Sequence, residues 1–168
     1  IGVHNSLMPV SINGNTGVVT GLAALPDSAM ASGSIIQVER NTTISTFSTN
    51  STSYSDIPNC TLNFTPSSAS NKYLATFSAY ITTVLASGHN QQTKIKMFID
   101  STQIGGTQVY AAESSSGSLQ WKGSSYIRAF ESFSGTSQVT FKVQGAAHNT
   151  NSTVYVYNPT LIVMEVAA

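Results

Sequence analysis

The chain has 168 residues, with seven basic and seven acidic side chains and a net charge of zero. Charged residues make up 8% of it, against about 25% in an average soluble domain, and Ser, Thr, Asn and Gly take their place. This balance argues against nucleic acid or an anionic membrane surface as a partner held by bulk charge, and the length suits one domain plus an extension.

Residues 1–33 form an arm with one formal charge, Asp27, and too much Gly, Asn and Ser for a stable helix. Its apolar side chains, among them Val10, Ile12, Val18, Val19, Leu22 and Leu25, can be buried only against partners. The arm is expected to intertwine with sister subunits or to lie on another protein; the plainer alternative is a linker. The chain begins at Ile1 rather than Met, as a processed or fragmentary chain does.

From residue 34 the pattern is that of short strands. SIIQVE (34–39) is β-branched, and CTLNF (60–64) follows a Thr/Ser-rich stretch in which Asp56-Ile57-Pro58-Asn59 reads as a turn. KYLATFSAYITTV (72–84) alternates, with Tyr73, Ala75, Phe77, Ala79 and Ile81 on one face. After a loop at 87–92, TKIKMFID (93–100) points Ile95, Met97 and Ile99 inward and Lys94 and Lys96 outward. STQIGGTQVY (101–110) is its return strand, with Gly105-Gly106 at a bend or bulge. A loop at 111–118 leads to one or two strands in LQWKGSSYIRAFESF (119–133), and QVTFKVQ (138–144) alternates again. GAAHNTNS (145–152) reads as a loop, TVYVY (153–157) as a strand, Asn158-Pro159 as a break and TLIVMEVA (160–167) as the last strand.

No segment carries a helical period. About eight to ten antiparallel strands predict an all-β, jelly-roll-like β-sandwich over 34–168, preceded by the extended arm. The last strand is apolar on both faces: Leu161 and Val163 on one, Ile162, Met164 and Val166 on the other. It is either a central strand covered by loops or a strand packed on a neighbouring subunit.

Catalytic signatures are missing. The single cysteine, Cys60, rules out an intrachain disulfide, and no run of 18 apolar residues offers a transmembrane helix. His4, His89 and His148 have no second ligand at metal spacing, so neither metal nor cofactor is expected. The acids are scattered, there is no G-x-S-x-G elbow, and no phosphate-binding glycine loop precedes a helix. Five Asn-x-Ser/Thr matches follow from composition. Trp121, Lys122, Tyr126 and Arg128 offer a stacking surface with hydrogen-bond donors, unless Trp121 merely caps the core.

The strands carry a resemblance. GSIIQVE (33–39), TPSSASNKYL (65–74), FIDSTQIGG (98–106) and TLIVMEVA (160–167) resemble the distal domain of tailed-bacteriophage virion proteins, over roughly residues 33–168. The resemblance implies a non-enzymatic homotrimeric head on the virion's outer surface, a tail-fibre or spike head that binds a host surface glycan or protein. The alternative is a capsid decoration protein that stabilises the shell through its arm. Receptor contacts would fall to His89, Asn90, Glu113, Trp121, Lys122, Tyr126 and His148, on loops of a rigid scaffold. Leu161, Ile162, Val163, Met164 and Val166 would face sister subunits, and residues 1–33 other virion proteins.

Overall fold

The structure is a computed structural model; it describes residues 11–12, 19–20, 30–41, 45–85, 91–111 and 120–168. Within the arm, β1 (Ser11–Ile12) pairs antiparallel with β2 (Val19–Thr20). The other arm positions named above, Val10, Val18, Leu22 and Leu25, lie outside the described residues. Nine strands then form two sheets: β3 (Ile35–Arg40), β4 (Thr46–Thr49), β5 (Ser55–Phe64), β6 (Lys72–Leu85), β7 (Gln91–Ile99), β8 (Thr102–Ala111), β9 (Gln120–Ser132), β10 (Val139–Ala147) and β11 (Ser152–Val166).

The topology is that of one long hairpin rolled up. The antiparallel pairs β4–β11, β5–β10, β6–β9 and β7–β8 nest inside one another. Rolling brings β6 beside β11 and β7 beside β10. The result is a four-stranded sheet, β5-β10-β7-β8, facing a five-stranded sheet, β3-β11-β6-β9 with β4 also on β11. This is the jelly-roll sandwich expected from the sequence.

The alternation read along β6 is the alternation of burial. Tyr73, Ala75, Phe77 and Ile81 are sealed between the sheets with Ile95, Met97, Phe141 and Val143. At one end Phe64, Tyr73, Phe133 and Phe141 form an aromatic cluster, with Phe64 and Phe133 stacked at 5.7 Å and Tyr73 edge-on to Phe141 at 5.1 Å. Farther along, the Thr83 and Thr93 hydroxyls bridge the sheets at 2.7 Å.

Two expected breaks are bulges within strands. Asp56-Ile57-Pro58-Asn59 lies inside β5, not in a turn. The register with β10 slips there, Asn59 takes φ 60°, and Ile57 and Cys60 are both buried. Pro58 is tolerated because β5 is an edge strand. Asn158-Pro159 likewise does not end a strand: β11 runs through it with a register shift and φ 49° at Asn158. Its two halves take different partners along one edge, β4 against Val154–Tyr157 and β3 against Ile162–Val166. The stretch 119–133 holds one strand rather than two, and β10 and β7 extend to Ala147 and back to Gln91, into segments that read as loops.

A buried carboxylate ties three segments together. Glu165, on the inner face of β11, is fully buried. It accepts hydrogen bonds from the Gln37 amide at 2.6 Å, the Ser67 backbone N–H at 2.9 Å, the Ser67 hydroxyl at 2.8 Å and the Asn71 amide at 2.8 Å. No cation takes part in these bonds; donors alone satisfy the charge. Burial pushes the carboxyl pKa up, but the bonds from Asn71, Ser67 and Gln37 outweigh it and hold the group below its ordinary 4.5.

A carboxyl whose pKa is depressed by folding stabilises the fold above its unfolded value, and that stability is lost as pH falls through the lower folded value. Glu165→Ala should therefore cost about 1–3 kcal/mol at neutral pH, because it strands the buried Asn71 amide and removes the acceptor of the Gln37 and Ser67 donors. Glu165→Gln should flatten the acid limb of stability below pH 4.5. Urea titrations of the three proteins from neutral to acid pH check both outcomes.

Candidate functional site

The sandwich has two distinct ends. At one, Gly33 N–H donates to Ala167 O at 2.9 Å and Ala167 N–H to Ser34 O at 2.8 Å, so the arm leaves the sandwich beside the C-terminus. The Glu165 cluster sits at this end. At the other lie the end of β6, the start of β7, the end of β8, the start of β9 and the β10–β11 connection. The flanking pairs Leu85–Ser152, Gln91–Ala111, Val84–Gln120 and Thr93–Ala147 place their strand ends side by side. The 14 residues of β6 span roughly 45 Å between the two ends at about 3.3 Å per residue.

The expected receptor residues divide accordingly. His148 is exposed in the β10–β11 connection, and its N–H donates to Gln92 O at 3.0 Å, which puts it at the far end. Trp121 and Lys122 lie in the first turns of register of β9, opposite Thr83 and Thr82, near that same end. His89, Asn90 and Glu113 lie outside the described residues. Tyr126 does not belong with them. It pairs with Ser78 in mid-sheet and stands 62% exposed on the outer face of the five-stranded sheet.

That outer face is the second feature. Antiparallel registry keeps paired side chains on one face, so Val38, Met164, Leu74 and Phe130 form a row across four strands. Ile35 and Val166 flank the row on one side and Ile162 on the other. Toward the far end Tyr80, Tyr155 and Tyr157 form an aromatic group, with centroids 5.9 Å apart for Tyr80–Tyr157 and 6.1 Å for Tyr155–Tyr157. The large hydrophobics left exposed among the described residues, Ile35, Val38, Tyr80, Tyr126 and Phe130, all stand on this face. Two of the five positions expected to face a neighbour do not reach it. Leu161 and Val163 point inward and are fully buried in the subunit's own core, while Ile162, Met164 and Val166 are half-buried on the outer side.

The outer face of the four-stranded sheet is different in kind. Lys94, Lys96 and Lys142 stand there, Lys96 in register with Gln144 and Lys142 with Thr61, and Lys142 meets Asp56 at 4.0 Å. This is the wet face that a half-exposed antiparallel sheet carries. Among the described residues no His, Cys, Asp and Glu side chains gather as a metal set. Cys60 is buried, and burial pushes its thiol up to about 12, which leaves it protonated and unreactive.

Sequence alternation placed the lysines outward, but nothing in it marked Val38 and Leu74 as neighbours of Met164, or Phe130 as the neighbour of Leu74. That adjacency depends on strand order, which local periodicity does not encode.

No protein-family model matches the chain, and no curated protein matches it in sequence. Among solved structures it is similar to dimeric latent PorU from Porphyromonas gingivalis, at a TM-score of 0.38 and 9% identity, covering 82% of this chain and 14% of that one. It is also similar to infectious bursal disease virus structures. The Gx strain gives a TM-score of 0.29 at 10% identity over 95% of this chain and 42% of that one, and the Gt strain 0.20 at 10% over 95% and 40%. The chain thus spans less than half the length of each, and at TM-scores this low nothing of their function transfers.

Gly105 sets the spacing where β8 passes β9: a Cβ there would lie 2.7 Å from Ile127 Cγ2. Gly105→Ala should cost about 1–3 kcal/mol by overpacking, read as a lowered urea midpoint. Tyr126→Ser, on the open outer face, should change the stability of an isolated subunit by no more than about 0.5 kcal/mol.

Proposed function

We propose that this chain is a non-enzymatic structural protein of a virion, a homotrimeric head on the outer surface of a bacteriophage particle. The observation that carries the proposal is the outer face of the five-stranded sheet. Its exposed apolar row on β3, β11, β6 and β9 is what an isolated antiparallel sandwich keeps polar and what an assembly buries. Burial between copies contributes roughly 25 cal/mol per Å² of apolar area. It also stabilises a domain that has no disulfide to do so.

The two ends of the sandwich support the same reading. The arm leaves at the base, where it can join the rest of a particle, and the ends of β6 to β11 that flank three connections lie side by side at the far end, where a host surface would be met. Tyr126 then serves the contact between copies rather than the receptor, and His148, Trp121 and Lys122 remain candidates at the far end. The motif resemblance to tailed-phage virion heads gains a physical content as well, since Gln37, Ser67, Asn71 and Glu165 come from its separate motifs and meet in one cluster.

Antibodies against residues 34–168 should label the exterior of the parent particles. Label at fibre or tail tips supports a receptor-binding head; label over the shell makes the chain a decoration protein held by its arm. Particles without label overturn the virion reading. In solution the double substitution Val38→Asp with Phe130→Asp should turn the native oligomer into a folded monomer, read by light scattering and circular dichroism. Both side chains point outward and are about half exposed in the single subunit (50% and 47%), so the fold itself should tolerate the change.

A further inference from the structure

The wet face of the four-stranded sheet carries a groove unrelated to the loops considered so far. It has a volume of about 460 Å³ and is lined by Tyr54, Lys96, Gln103, Thr107 and the backbone of Gly105 and Gly106. This size falls within the range of small-molecule sites. Lys96 pairs with Gly106 in the β7–β8 hairpin, and the bulge between Met97 and Phe98 displaces Ile104 at the floor. Gly106 keeps the floor low. A Cβ there would come within 3.2 Å of both the Gln103 amide nitrogen and Ile95 O, so a side chain would fill the space a ligand needs.

The wall groups have a definite chemistry. The Lys96 ammonium lies 4.4 Å from the centre of the Tyr54 ring, a cation held over an aromatic face. Among the described residues it forms no ion pair, whereas Lys142 on the same face has Asp56. Gln103 supplies an amide, Thr107 a hydroxyl and Tyr54 a flat apolar surface with a phenol. One unneutralised cation, an aromatic platform and short polar groups around a glycine floor suit a sugar ring that carries a carboxylate. A neutral sugar would leave the ammonium without an anion, and a phosphate would find one lysine and no arginine.

We propose that this groove binds a carboxylated sugar unit, of the uronic acid kind, with Lys96 on the carboxylate, Gln103 and Thr107 on ring hydroxyls and Tyr54 against the ring. The idea rests on the virion reading only for where such a sugar comes from, the host surface. If the five-stranded sheet is buried between copies, this groove stays on the outside of the assembly.

The test is titration of the full chain with sodium glucuronate, with glucose as the neutral control, followed by amide shifts of Gly105 and Gly106 in the native oligomer. Glucuronate should give saturable shifts centred on those two amides. Lys96→Met should weaken binding by about tenfold or more, and Gln103→Ala, at an exposed position, should weaken it while leaving the rest of the spectrum in place. Equal response to glucose and glucuronate, shifts centred elsewhere, or undiminished binding in both variants would overturn the proposal. Because the experiment needs no particle, its failure leaves the particle-labelling result standing, and the reverse is equally true.

Discussion

The Glu165 carboxylate is the point on which the rest of the structure turns. It is a buried charge with no cation in its hydrogen bonds, held by donors from β3, from the β5–β6 turn and from Asn71 at the head of β6. Such a group is tolerated only where its donors are in place together. Its presence therefore requires that β3, β11 and β6 be aligned in one register at the base of the sandwich. The neighbouring side chains on β11 follow from that alignment. With Glu165 turned inward, Met164 and Val166 must turn outward, and they fall into line with Val38, Ile35 and Leu74.

One constraint at the base thus shapes the two faces seen by solvent. The inner side closes over the aromatic cluster of Phe64, Tyr73, Phe133 and Phe141. The outer side of the same sheet becomes an apolar row that a single subunit leaves open. The opposite sheet spends its outward positions on lysines and amides. A sandwich with an apolar row on one outer face, bordered by Arg40, Lys72 and Arg128, and lysines and amides on the other has a preferred way to associate, through the row, and a preferred surface to leave wet.

Much of the sandwich was legible in the sequence, and the reasons for the misses are physical. Period-two alternation in 72–84, 93–100 and 138–144 marked the inward residues because one face of each strand is buried by its own chain. Pro58 and Pro159 were misleading because proline and a left-handed Asn mark turns and bulges alike, and only the flanking registers distinguish them. The apolar outer face was half visible, in Ile162, Met164 and Val166. Leu161 and Val163 belonged to the inner face, and the missing members, Val38 and Phe130, come from strands about 125 and 35 residues away in the chain. The groove at Tyr54 and Lys96 left no local signal, because its walls come from β7, β8 and the residue before β5, and no pattern of spacing joins them.

The central claim is that the row around Val38 is covered by sister copies in the native protein. The direct measurement is thiol labelling of a Val38→Cys variant of the full chain, with Cys60 buried and its thiol pushed up to about 12 so that it contributes little background. The account predicts that the introduced thiol is protected in the native assembly and reacts at the rate of a free cysteine once dilution or mild urea has separated folded subunits. Reaction at the free rate in the undissociated protein would contradict it.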